Sequence, residues 1–370
     1  MDKLNEMNDR AVGLVHDYLL VLRGAERTFA AIADIWPDAP VYTTLYDPLS
    51  TDGRFAGHPV TTSILQRARL RQGGFRSLLP LLPLAASRLP VASHPVLISS
   101  SSAFAHGVHP GPGSVHVCYC HTPFRYAWVE PRGALSEVTP LARPALAATL
   151  AGIRRWDLRA SRRVTHYVAN SCYTERRIRE LYGRRSTVIH PPVDVDRFES
   201  GEPEDFFLAV SELVSHKRIE VAAEAASRVG RRLKVVGGGP ELTRLRCRYG
   251  KWVEFVGRLG DRELKELYRG ALAVVVPTVE EFGIVAVEAQ AAGKPVIAAR
   301  GGGATETVIE GATGRFVEPG DVVALARALR HFDAGAYDSA TIQRHARQFS
   351  IESFQAKMRD AVRQAVAAHG

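Results

Sequence analysis

Two carboxylates, Glu280 and Glu288, are the side chains of this sequence best placed to do chemistry. They lie in residues 277–297, which read PTVEEFGIVAVEAQAAGKPVI. The apolar run at 271–276 has the length and β-branching of a buried strand. Pro277 and Thr278 end it, Gly283 opens a helix, and Gly293-Lys294-Pro295 stops that helix before a short strand at 296–299. Glu280 thus sits on a loop outside the carboxyl end of a strand, where open parallel sheets bind ligands. Glu288 shares a helical stripe with Ile284, Val287 and Ala291, so it falls on an apolar face. An unpaired carboxylate is expensive to bury. Either a local Lys or Arg satisfies Glu288, or the carboxylate is aimed at ligand hydroxyls such as those of a ribose. The amides of Phe282, Gly283, Ile284 and Val285 form a helix N-terminus able to hold a phosphate. Carboxylates for hydroxyls beside amides for phosphate suggest a sugar nucleotide.

The elements that must position these groups alternate along the chain. Strands are expected at 11–15, 96–99, 114–120, 166–170 and 186–190, with a helix from about Glu26 after a turn at Arg23-Gly24. The pattern restarts with strands at 206–210, 233–236, 253–255, 271–276 and 296–299, separated by helices such as 220–229 and 263–268. Alternation of this kind reads as parallel α/β sheet. A chain of 370 residues suits two cores better than one. The Pro-, Gly- and acid-rich stretch from Pro191 to Glu204 is the expected boundary. The expected division is 1–195, 196–350 and a terminal helical segment at 351–370.

Composition narrows the partners. The net charge of +9 calls for an anionic one: nucleic acid, an anionic membrane surface or a phosphorylated substrate. No nucleic-acid-binding module is present, and aromatics are not interleaved with the basic residues. No stretch reaches the roughly 20 apolar residues of a membrane span. The polar start, MDKLNEMNDR, lacks a signal-peptide core, so a cytoplasmic location is expected. The four Cys do not have zinc spacing, and Asp194-Val195-Asp196 lies in the linker, so no metal site is expected. Residues 63–90 combine five Arg with a Leu- and Pro-rich run. They read either as a patch on an anionic membrane surface or as a surface helix followed by a core-packed apolar loop.

Glu280, seven residues, then Glu288, with Phe282-Gly283 between and Ala-Gly-Lys-Pro-Val-Ile after, resembles the E-x7-E motif of family 4 retaining glycosyltransferases. The resemblance covers nearly the whole chain. It implies a GT-B fold, two Rossmann-like domains facing a central cleft, with the terminal helix packing back on the first. The segment 119–128, YCHTPFRYAW, resembles that of bacterial O-antigen and exopolysaccharide mannosyltransferases of the family. It implies that His121 contacts the transferred sugar and that the donor is GDP-mannose. UDP- or dTDP-sugars remain open. Arg125 either binds an acceptor phosphate or pairs with a carboxylate. Gly24 stands in the family's Gly-rich turn after Asp17, with Arg23 where a first Gly is usual.

In the second half, Lys217 with Arg218 matches the family's diphosphate cations, whereas Glu212 replaces the usual Arg. An acidic group there would repel the diphosphate, which opens a reading as an inactive sugar-nucleotide-binding paralogue. Gly238, in Gly237-Gly238-Gly239-Pro240, matches a turn that approaches the nucleotide, and Val256 with Arg258 matches the loop that cups the base. Gly301-Gly302-Gly303 with Glu306 either contacts ligand or shapes a loop. The resemblance therefore implies Glu280, His121 and Lys217 at the reacting centre and Glu288 on the ribose. It implies no cofactor and no metal, and a lipid-linked saccharide at the membrane surface as acceptor, with a soluble acceptor as the alternative.

Overall fold

The computed structural model describes residues 11–68, 78–136 and 138–369. Strands β1 (Val12–His16), β2 (Val41–Thr43), β3 (Val60–Thr62), β4 (Val96–Ser101), β5 (Val115–Cys120), β6 (His166–Ala169) and β7 (Ser186–Val188) form one parallel sheet. Its order is β3-β2-β1-β4-β5-β6-β7. A second parallel sheet holds β8 (Phe207–Val210), β9 (Leu233–Val236), β10 (Val253–Gly257), β11 (Val274–Val276), β12 (Val296–Ala299) and β13 (Gly314–Val317), in the order β10-β9-β8-β11-β12-β13. Each is Rossmann-like. The strand order reverses between β1 and β4 in one and between β8 and β11 in the other, and such switch points open a crevice at the carboxyl ends of the strands. Every residue of β1 and β12 is buried, as expected of strands covered on both faces.

The chain divides into residues 1–190 with 354–370, and 191–353. The break lies at 190/191 rather than after 195 because Val193, Val195 and Phe198 pack into the second unit's core beside Val274 and Val287. From Phe354 onward the terminal helix Ile351–His369 belongs to the first unit. There the Phe354 ring stands edge-on to Tyr119 at 5.6 Å, and Gln355 Nε2 donates to the Ala31 carbonyl at 3.0 Å.

Several elements differ from the sequence expectation. Strands β2, β3 and β13 were not anticipated, since three or four residues give little room for a period to show. The run at 271–276 pairs only from Val274, although Ala271 and Ala273 are also buried. The first helix begins at Gly24, not Glu26. The Arg23 amide donates to Glu26 Oε2 at 3.0 Å and draws the turn into the helix. Residues 69–77 of the basic, Leu-rich stretch lie outside the described residues. The rest forms a 3-10 turn, Ile64–Ala68, and a helix, Leu82–Ser87. That helix buries Leu82, Pro83, Ala85 and Ala86, while Leu81 and Leu84 are about half exposed. Among the described residues no helix is long and apolar enough to cross a membrane.

One core group makes stability depend on pH. His116 on β5 is fully buried, with Nε2 2.8 Å from Ser99 Oγ. Burial, then the neighbouring His106 and Arg163, push its pKa down to about 3. An unfolded His titrates near 6.5, so acid favours the unfolded chain. The contribution of neutral His116 is complete above that value and is lost as pH falls toward 3. Between about pH 7.5 and about pH 5 the loss comes to about 2 kcal/mol. Urea unfolding at both pH values, followed by Trp fluorescence, should show a pH dependence shallower by that amount in His116→Gln. Equal dependence in the two proteins would mean that folded His116 takes up the proton.

Candidate functional site

The switch point of the second sheet gathers two of the expected residues. Lys217 ends the 3-10 turn Ser215–Lys217 after β8, and Glu280 lies on the loop after β11, the strand beside it. Lys217 Nζ donates to Glu280 Oε1 at 2.5 Å. The two loops are joined again where Thr278 Oγ1 donates to the His216 carbonyl at 3.0 Å. Both charged side chains keep part of their surface exposed, so the pair is open to a ligand. Next to it the helix Ile284–Ala291 begins after Gly283, and a Cβ built on Gly283 would lie 3.8 Å from Glu280 Oε2. The first amides of that helix have no helical carbonyl to bond. A cation, a carboxylate and a helix N-terminus therefore converge at the end of β11. Phe282 is turned away: it is 3% exposed and packs in the core with Phe349.

The glycine runs hold this arrangement from behind. Gly303 donates its amide to the Glu280 carbonyl at 3.0 Å, and a Cβ there would fall 2.2 Å from Phe282 Cα. The 301–303 run thus lets two backbones touch and pins the Glu280 loop, so Gly303 shapes that loop. Likewise a Cβ on Gly237 would lie 1.8 Å from the Ser211 carbonyl, while Leu213 N donates to the Gly238 carbonyl at 3.0 Å. Gly238 and Arg258 do come together: a Cβ on Gly238 would be 3.3 Å from Arg258 Nε. Val256, partly buried, packs on the core just before the irregularity that β10 makes at Gly257. Arg218 takes a left-handed backbone, φ 50°, and its guanidinium reaches toward Gly320, whose Cβ would lie 3.0 Å from Nη1. Glu212 is exposed on the loop after β8.

Glu288 is buried at 8% exposure. Tyr268 donates to its Oε2 at 2.7 Å, and Arg197 Nη2 stands 3.6 Å from Oε1. The sequence left open whether a Lys or Arg or ligand hydroxyls satisfy Glu288, and it identified neither Arg197 nor Tyr268. Arg197 was hidden beside Asp194 and Asp196, whose side chains are exposed on the turn. Among the described residues no group of His, Cys, Asp or Glu could hold a metal ion.

In the first unit, His121 follows β5 and its Nε2 is 2.8 Å from Ser100 Oγ at the end of β4. Burial, then His16, push its pKa down to about 3, so the imidazole is neutral. Arg125 begins the short helix Arg125–Trp128 and faces the Glu130 carboxylate at 3.5 Å. Gly24 is the first residue of its helix, where its carbonyl accepts the Thr28 hydroxyl at 2.8 Å. Asp17, which precedes the Gly24 turn, ties the end of β1 to the segment after β4. Its carboxylate accepts four backbone amides, those of Ser102, Ala103, Phe104 and Ala105, at 2.6 to 3.0 Å.

Residues 22–197 match the Glycosyltransferase Family 4 model, and residues 193–348 match the model Glycosyl transferases group 1. D-inositol 3-phosphate glycosyltransferases of Mycobacterium bovis and Mycobacterium tuberculosis are 32% identical over 219 residues, 50% of this chain and 46% of theirs. The chain therefore spans about half the length of the curated relatives it matches. Among solved structures, HepE of Anabaena in complex with UDP-glucose has a TM-score of 0.70 at 19% identity, covering 95% of this chain and 99% of that one. Sucrose-phosphate synthase from Thermosynechococcus elongatus has a TM-score of 0.71 at 20% identity, covering 96% and 100%. At these identities the likeness is one of fold. Residues 22–348 thus carry a glycosyltransferase family 4 domain followed by a glycosyl transferases group 1 domain, folded as two Rossmann-like halves of GT-B type.

Proposed function

We propose that this chain is a retaining glycosyltransferase that moves a hexose, mannose from GDP-mannose first among the candidates, onto a lipid-linked saccharide in cell-surface glycan synthesis. The observation that carries the reading is the Lys217–Glu280 pair at the β8/β11 switch point, beside the N-terminus of the helix that bears Glu288. In this reading Lys217 and the helix amides stabilise the departing diphosphate, where negative charge develops. Glu280 holds sugar hydroxyls, Glu288 holds the ribose, and His121 contacts the transferred sugar. Arg258 and Gly238 lie at the base. Neutral His121 donates or accepts a hydrogen bond without adding charge. Attack on the same face as departure lets the leaving phosphate take the acceptor's proton, so no protein nucleophile is needed. Residues 63–90 would meet an anionic membrane surface, and no metal takes part.

A second reading has its own support. HepE was solved with UDP-glucose, and the mycobacterial relatives are named for an inositol phosphate acceptor. These favour a UDP-sugar and a soluble, phosphate-bearing acceptor. Thermal-shift measurements with GDP, UDP, ADP and dTDP separate the donors. A nucleotide present at about a hundred times its Kd adds about 2.7 kcal/mol, a shift of several degrees. Stabilisation by GDP alone supports mannosyl transfer, whereas UDP supports the second reading. No shift with any of the four would overturn both and leave an inactive paralogue, with Glu212 blocking the diphosphate.

A further inference from the structure

Glu288 does not stand alone in its pocket of the second unit. Tyr268, fully buried in the helix Asp261–Gly270, donates its hydroxyl to Glu288 Oε2 at 2.7 Å. Arg197 Nη2 faces Oε1 at 3.6 Å, and Nη1 of the same guanidinium pairs with Asp261 at 3.1 Å. The Arg197 guanidinium lies over the Phe198 ring at 4.8 Å, and Phe198 stands edge-on to Tyr268 at 5.4 Å. The four side chains form a closed ring: phenol, carboxylate, guanidinium, phenyl. Each is held on two sides.

This arrangement decides what the carboxylate can do. A buried carboxylate without partners is costly, so the donors are needed for it to stay charged. The two donors are unequal. The phenol makes a short direct bond, whereas 3.6 Å is too long for one and leaves an electrostatic contact. Burial, with the Glu288 carboxylate beside it, holds the Tyr268 hydroxyl well above the ordinary phenol range, so it remains a donor. A buried phenol has few rotamers to sample, and Arg197 is steered by Asp261 from the other side. The plane of the carboxylate is thereby fixed before any ligand arrives. A vicinal diol is recognised by two hydrogen bonds to one carboxylate only when that plane is correctly set, and preorganisation of this kind is what raises selectivity for the hydroxyls.

We propose that Tyr268 and Arg197 are positioning residues that give the site its selectivity for a ribonucleotide over a 2′-deoxyribonucleotide, acting through Glu288. The proposal rests on the donor-site reading above and adds the residues that determine sugar recognition. Isothermal titration with GDP and 2′-deoxy-GDP, then with UDP and 2′-deoxy-UDP, tests it. Wild type should bind the ribonucleotide about tenfold more tightly than its deoxy partner, the ratio one well-made hydrogen bond supplies. In Tyr268→Phe that ratio should fall to within about twofold, while affinity for the deoxy nucleotide stays within about threefold of wild type. A purely structural role would weaken both nucleotides together and keep the ratio, and that result overturns the proposal. Should Tyr268→Phe fail to fold, Arg197→Gln reads the same ratio against the same expectation. Failure of wild type to bind any of the four nucleotides overturns the donor-site reading and this proposal with it, whereas an unchanged ratio in a binding variant overturns this proposal alone.

Discussion

Replacing Lys217 by alanine should lower kcat by about 10²- to 10³-fold, the loss expected when one preorganised cation or donor is withdrawn from developing charge. Lys217 Nζ is 2.5 Å from Glu280, so each group compensates the other before a donor arrives. In the proposed reading, a diphosphate entering beside the helix at Ile284 gives the ammonium a second anion, whose charge grows as the sugar departs. Binding of the intact donor changes less than turnover, because interactions made mainly in the transition state appear in kcat. The fold hardly notices: the pair is partly exposed, and such ion pairs contribute at most about 1 kcal/mol. Glu280→Ala should also lower turnover strongly, because the proposed reading gives Glu280 the sugar hydroxyls. The double variant should lose less than the two single losses combined, because the groups touch. Initial rates with each variant at saturating donor decide the matter. Activity of Lys217→Ala within threefold of wild type sinks the diphosphate role. Glu212 is exposed on the same β8 loop where the resemblance expects a cation, so in the proposed reading Lys217, Arg218 and the helix amides share the diphosphate charge.

How far the sequence reached can be traced residue by residue. Strands β8, β9, β11 and β12 were visible because a parallel strand covered on both faces must be a continuous apolar run, and Val274–Val276 and Val296–Ala299 are such runs. Their order was not visible, and the order is what brings Lys217 to Glu280 across 63 positions. The glycine runs at 237–239 and 301–303 were visible as motifs, but not as the places where one backbone presses on another. That contact depends on which loop lies across the glycine, and nothing local in the sequence says so. Arg197 and Tyr268 were missed for a related reason. One sits in the linker beside two exposed aspartates, the other in the amphipathic helix Asp261–Gly270, and only folding brings both to Glu288. The place of His121 directly after β5 was legible, whereas its partner Ser100 belongs to the neighbouring strand and was not.

Asp17→Ala should be among the most destabilising single changes in the first unit. At the end of β1 the carboxylate is 3% exposed and receives the amides of four consecutive residues just past β4, with the Ser101 hydroxyl at 3.4 Å. Removing it leaves buried amides without an acceptor, and each such group costs about 1–3 kcal/mol. Water entering the space left by the side chain recovers part of this, so a net loss of about 3–5 kcal/mol is expected. For a unit of this size that lowers Tm by on the order of 10 °C. The damage should travel, because Ser101 Oγ is also 3.1 Å from His106 Nδ1. His106 Nε2 is in turn 2.9 Å from Asp157, whose other oxygen accepts Trp128 Nε1 at 2.6 Å and the Tyr182 hydroxyl at 2.7 Å. Through this chain Asp17 steadies the 125–128 helix that follows His121. Asn is no remedy at position 17. Its amide nitrogen would face backbone N–H groups, donor against donor, so Asp17→Asn should lose more than half of what alanine loses. Calorimetry of both variants is the check. A fall of less than about 2 °C in Asp17→Ala would mean that the four amides find other acceptors, and that the crossing from β1 to β4 is held by packing alone.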